Sequence, residues 1–244
     1  MVEKILLINV AGVGHGPQEF ARSPIHDNVV ANLLSRRIDI RDIFVHSTDV
    51  RRNPDTQKVS GIQLPPSYQR TLIREAIHEA SLDERIPVAV AHCFGSIATM
   101  AELRDGTLPF AIFISPTFLN PREEIFSSPK TSQKMEVVKL PNGEFGITME
   151  PEKMYPIVFP IDHLDDPLYW DTIAANPKAI QEVANILVAR RAQIFVGEHD
   201  WNFQRYLYPL FFPTEMIEGE THSFERNKES IARVSEAILQ LTGQ

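Results

Sequence analysis

Residues 87–96 read Pro87-Val88-Ala89-Val90-Ala91-His92-Cys93-Phe94-Gly95-Ser96, and they decide how the rest of the chain is read. Residues 86–92 form a short apolar run of strand type, and residues 96–103 form helices readily. Between them lies Cys93, the only cysteine of the 244 residues. A strand, a sharp turn and a helix make the setting of a nucleophile elbow, where G-x-S-x-G is usual. Here the frame is A-x-C-x-G, with a thiol in place of the hydroxyl and Ala91 in place of the first glycine. Small residues at Ala91 and Gly95 let strand and helix backbones approach closely enough for such a turn. A lone cysteine elsewhere would read as a small buried hydrophobe. The frame around Cys93 favours a reactive thiol.

Working outward, residues 4–10 are almost continuously apolar, as in a parallel sheet covered on both faces. The glycine-rich stretch Ala11-Gly12-Val13-Gly14-His15-Gly16-Pro17 follows directly. Further strands are expected at 42–45, 86–92, 110–114, 192–196 and 214–217. Helices are expected at 26–37, 66–80, 96–103, 180–190, 201–210 and 225–241. Alternation of this kind implies an α/β fold with a doubly wound, mostly parallel sheet of about six strands and right-handed crossovers. Residues 50–65 read as polar and irregular.

The alternation breaks after residue 114. Nine of the 18 prolines fall between Pro109 and Pro167, which predicts an irregular stretch. Within it, 135–140 and 144–149 flank Pro141-Asn142-Gly143, an Asn-Gly hairpin signal. Aromatic and apolar residues crowd around it, among them Phe118, Phe126, Met154, Tyr155, Phe159, Tyr169 and Trp170. The expectation is one domain, 1–244, with a lid inserted at 117–171. The aromatics of that lid either form a satellite core or line a pocket over the reactive centre.

Composition bounds the function. A net charge of −8, from 24 basic against 32 acidic residues, argues against non-specific binding to nucleic acid or anionic membranes. One cysteine forms no internal disulfide, which fits a reducing compartment. The N-terminus is strand-like rather than a signal peptide, and no 18-residue apolar run offers a membrane span. A cytoplasmic protein without a cofactor is expected.

A thiol nucleophile needs a base within hydrogen-bond reach, and the base needs an orienting acid. Gly197-Glu198-His199-Asp200 follows the strand at 192–196, and Gly219-Glu220-Thr221-His222-Ser223-Phe224 follows that at 214–217. Ligands of open α/β sheets bind outside the carboxyl ends of the strands, so Cys93, Asp200 and His222 share one edge. The order nucleophile, acid, base is that of the elbow-type hydrolases. His199 competes as base but stands beside the acid on the same loop. The oxyanion hole needs the N–H of the residue after the nucleophile, Phe94, and one from the loop after the first strand, where Val13 is favoured. Gly12, His92, Tyr169 and Trp170 are candidates for the substrate pocket. Gly12-Val13-Gly14-His15-Gly16 does not fit G-x-G-x-x-G, so it is not read as a nucleotide loop. Asp162-His163-Leu164-Asp165-Asp166 has metal-ligand types without a second cluster, and reads as a solvated loop.

With these residues in place, the chain resembles the α/β-hydrolase superfamily from first strand to last helix. The Cys-Asp-His choice resembles dienelactone hydrolases, and Thr221-His222-Ser223-Phe224 is similar to their histidine segment. It also resembles cysteine-type thioesterase relatives, including the Dieckmann cyclases of tetramate biosynthesis. Some of these carry the acid after the earlier strand. Here that segment is Ser115-Pro116-Thr117-Phe118-Leu119-Asn120, which has no carboxylate, so Asp200 takes the role. The resemblance implies an acyl-enzyme formed from an ester, lactone or thioester and then hydrolysed, transferred or cyclised. The acyl substrate would arrive free, on a carrier protein or on coenzyme A. The competing reading is a non-catalytic small-molecule binding protein of the same fold.

Overall fold

The computed structural model describes residues 4–13, 24–52, 59–121, 136–140, 143–148, 157–171, 173–200, 203–224 and 227–243. Six strands form one parallel sheet: β1 (Lys4–Val10), β2 (Asp39–Val45), β5 (Ile86–His92), β6 (Phe110–Ile114), β10 (Ala192–Gly197) and β11 (Thr214–Ile217). Their spatial order is β11-β10-β6-β5-β1-β2. Strand β1 shows why both faces must be covered. Leu6, Ile8 and Val10 pack with helices α2 (Pro66–Leu82), α3 (Gly95–Arg104) and α4 (Pro177–Val188). Ile5 and Leu7, pointing the other way as strand alternation requires, pack with α1 (Pro24–Ser35) and α5 (Lys228–Thr242). The expected six strands of the parallel sheet are therefore present.

The second layer departs from expectation. Strands β3 (Thr48–Arg52) and β4 (Val59–Gln63) form an antiparallel pair within the stretch read as irregular. They join β7 (Glu136–Lys139), β8 (Phe145–Thr148) and β9 (Ile157–Pro160) in a five-stranded sheet ordered β3-β4-β9-β8-β7. So the proline-rich region is a sheet layer, and part of that sheet comes from far upstream of residue 117. Among the described prolines, Pro160 is the last residue of β9, where a missing N–H is tolerated. The β7–β8 hairpin pairs Glu136 to Thr148 through Lys139 to Phe145, and Gly143 takes φ 91° in its turn. Asn142, Phe126, Met154 and Tyr155 lie outside the described residues, as do Gly14, His15 and Gly16. In place of the helix expected at 201–210 there are two short turns, Phe203–Tyr206 and Tyr208–Phe211.

Candidate active site

Cys93 stands between β5 and α3 with φ 50°, a left-handed conformation that a side chain disfavours. The turn is over-determined by its neighbours. Cys93 donates its N–H to Ile114 at 3.1 Å, and its carbonyl accepts from the Ser96 hydroxyl at 2.6 Å. That hydroxyl also accepts the Thr117 N–H at 2.9 Å. Gly95 is required by contact: a Cβ there would lie 2.6 Å from the Val10 carbonyl oxygen and 2.7 Å from that of Ala11. The first turn of α3 thus rests directly on the end of β1, and the chain strained at Cys93 is held from both sides.

The loop after β1 comes to the same point. A Cβ on Gly12 would lie 2.8 Å from that of Cys93, so only glycine brings this backbone so near the sulfur's stem. The loop is tied from outside. Ala11 donates to Val45 at 3.0 Å, its carbonyl accepts from Gln69 at 3.0 Å, and the Ser47 hydroxyl donates to Gly12. Among the described residues, the N–H groups of Phe94 and Val13 donate to no backbone carbonyl. Nothing in the sequence marks Ser47 or Gln69, because they reach this loop from elements distant in the chain.

Asp200 and His222 meet across two strand ends. Gly197 permits it: a Cβ there would lie 2.5 Å from the Thr221 carbonyl oxygen and 2.6 Å from that of Glu220. His199 donates its backbone N–H to Glu220 at 2.7 Å, and Gly219 donates to the Glu198 carboxylate at 2.9 Å. The Ser230 hydroxyl of α5 donates to Glu220 at 2.6 Å. Phe224, fully buried with φ 52°, anchors the far end of the histidine loop. In this frame His222 Nδ1 donates to Asp200 Oδ1 at 2.8 Å. The side chain of His199 points elsewhere, 3.7 Å from the Glu198 carboxylate and largely exposed.

Cys93 lies close enough to His222 to act on its charge. Burial opposes a charged imidazole, but the charge on Cys93 and the Asp200 carboxylate outweigh it and raise the His222 pKa from 6.5 to about 10. All three side chains are nearly closed from solvent: Cys93 is 6% exposed, His222 7% and Asp200 1%. The arrangement can hold a protonated imidazole beside the sulfur, out of water.

The pocket candidates divide. Tyr169 packs in one apolar cluster with Cys93, Phe94, Ile97, Phe159 and Leu164, and its ring lies 6.4 Å from that of Phe94. Burial and the neighbouring Asp166 carboxylate raise its phenol pKa. Trp170 is 40% exposed, and its indole donates to the Leu164 carbonyl at 2.7 Å. His92 packs against the base. It is buried, donates from Nε2 to the His222 carbonyl at 2.9 Å, and sets its ring 4.9 Å from that of His222. Phe159 belongs to the lid aromatics that the sequence offers either to a satellite core or to the pocket, whereas Leu164, read within a solvated loop, is missed as a neighbour of the thiol. Among the described residues there is no group of three or more metal-ligating side chains. No helix among them is long and apolar enough to cross a membrane.

No protein-family model and no curated protein matches the chain. Solved structures do. A pyrethroid hydrolase, PytH, aligns at TM-score 0.55 and 11% identity, covering 100% of this chain and 98% of its own. A thermostable carboxyl esterase from Bacillus coagulans aligns at TM-score 0.51 and 12% identity, covering 100% and 90%. The thioesterase domain from the curacin biosynthetic pathway aligns at TM-score 0.50 and 11% identity, covering 98% and 92%. At such identities the likeness speaks to architecture, and with the six-stranded parallel sheet and its flanking helices it establishes that this chain has the α/β-hydrolase fold.

Proposed function

We propose that the protein is an enzyme that forms an acyl-thioester on Cys93 from an activated acyl group, an ester, lactone or thioester. The observation that carries this reading is the Asp200–His222 hydrogen bond of 2.8 Å beside a thiol on a left-handed turn. The Cys93 thiolate adds to the substrate carbonyl, and the resulting oxyanion accepts from the N–H groups of Phe94 and Val13. As the carbon–heteroatom bond breaks, His222 gives its proton to the leaving alkoxide or thiolate. His222 is then neutral, with its Nδ1–H still on Asp200. It next removes a proton from water, an amine or an activated carbon, which attacks the thioester and releases Cys93 as thiolate. His222 is reprotonated in that step, so no proton is lost over the cycle. The second sheet is the cap of this mechanism, since Phe159 packs over Phe94 at 6.3 Å. By excluding water it favours acceptors other than water.

Intact-protein mass spectrometry after incubation with a panel of acyl thioesters and lactones tests the proposal. The expected result is an acyl adduct on Cys93 that is lost in Cys93→Ala. Turnover in Cys93→Ala, or binding of the panel without any adduct, would refute it. The second of these outcomes would leave a non-catalytic binding protein.

A further inference from the structure

The second sheet presents an apolar row that leads from solvent to the thiol. Val137 of β7 pairs directly with Ile147 of β8, and Ile147 pairs directly with Phe159 of β9. Directly paired residues lie on the same face of a sheet. That face is the one packed on the site, because Ile147 and Phe159 belong to the cluster around Cys93. Phe145 lies on the same face, two residues from Ile147 along β8. Exposure grades along the row: Val137 is 68% exposed, Ile147 is half-buried and Phe159 is 2% exposed. Phe145, beside its outer end, is 54% exposed. The sheet's other face has its own partners, Ile62, Val138, Leu140 and Val158.

The edge strand β7 carries exposed charge at Glu136 and Lys139, with Lys139 paired directly to Phe145, yet it also exposes Val137, diagonally across from Phe145. Here the exposed pair is continuous with the cluster that holds the nucleophile. We propose that the row Val137–Ile147–Phe159, rimmed by Phe145, is the track for an extended alkyl chain on the acyl side of the substrate. Two strand spacings separate its ends, about 10 Å, the length of an extended chain of about eight carbons. The substrate class is therefore a medium-chain, unbranched acyl group. The proposal rests on acylation at Cys93 and adds to it the identity of the chain transferred.

The test is kcat/KM, with intact-mass detection of the adduct, for N-acetylcysteamine thioesters of two, four, eight and twelve carbons. A second series keeps an acetyl group and lengthens the alcohol side. Burying a methylene is worth roughly a fourfold gain. A rise of about a hundredfold from two to eight carbons, levelling off where the chain meets solvent, is the result expected from partial contact along the row. The alcohol series should be flat. Val137→Asp, at an exposed edge position, should cut the eight-to-two-carbon ratio about tenfold, and Ile147→Ala should lower it as well. Val188→Asp, 73% exposed at the end of α4, controls for added charge and should leave the ratio alone. An acyl series without length dependence, a ratio indifferent to Val137→Asp, or a dependence carried by the alcohol side would overturn the track while leaving the Cys93 chemistry standing. Absence of any Cys93 adduct across both series would instead remove the underlying reaction, and the track with it.

Discussion

Gly197→Ala isolates the geometry that brings acid and base together. Gly197 adds no side chain to the three catalytic candidates, and its carbonyl accepts the Asp200 N–H at 3.1 Å. Its missing side chain is where the histidine loop crosses β10: a Cβ would meet the Thr221 carbonyl oxygen at 2.5 Å and that of Glu220 at 2.6 Å. Both are backbone atoms, so no rotamer change relieves the overlap. Restoring ordinary contact moves the loop by about 0.8 Å, in the manner of an overpacked core, and costs about 1–3 kcal/mol. A chain of this size loses roughly 2–4 °C of Tm per kcal/mol, so a fall of about 2–12 °C is expected. The same shift carries His222 away from Asp200, against a hydrogen bond of 2.8 Å. A misplacement near 1 Å costs on the order of a hundredfold in rate. The assay is the pre-steady-state rate of Cys93 acylation, measured alongside thermal unfolding. Gly106→Ala is the comparison: Gly106 has φ 77° but no atom within 4 Å of its Cβ position, so the change strains the backbone without displacing the site. It should cost about 1–2 kcal/mol and leave acylation near wild type. A Gly197→Ala protein that loses the expected stability yet acylates at the wild-type rate would refute the reasoning, because the acid–base contact would then not govern the chemistry.

Other outcomes follow from the same contacts. Asp200→Asn should keep the fold and lower the acylation rate by about four orders of magnitude, through loss of the useful His222 tautomer; single-turnover kinetics decide it. In Cys93→Ala, His222 loses the neighbour that helps raise its pKa to about 10, so its proton should leave at lower pH in an NMR titration. His222 binds its proton more tightly folded than unfolded, so its contribution to stability is complete below pH 6.5 and is lost as pH rises through about 10. Urea unfolding should therefore show wild-type stability falling as pH approaches about 10, with the His222 loss complete at lower pH in Cys93→Ala. Asp166 accepts the N–H groups of Ser67 and Leu168, each at 2.9 Å. Asp166→Ala leaves both unpaired and should cost about 2–4 kcal/mol in the same assay.

The parallel core was legible because its signals are local. A strand buried on both faces must be apolar throughout, and β1 and β5 announce themselves that way. The elbow was legible for the same reason: Ala91, Cys93 and Gly95 lie within one turn of chain. The candidates Asp200 and His222 could be named because the topology of a parallel sheet sends all its strand ends to one edge. What the chain order did not reveal was the second sheet. Strands β3 and β4 look polar and irregular alone; they pair with each other, and β4 joins them to the sheet by pairing with β9, some hundred residues away. Pairing propensity depends on such partners more than on the strand's own residues. The same holds for His92, Gln69 and Ser47, whose roles exist only where distant backbone carbonyls meet them. Residues adjacent in sequence therefore determined the sheet, the turn and the candidate nucleophile. Only the tertiary structure decided what covers the thiol, because packing between segments remote in the chain leaves no period in either.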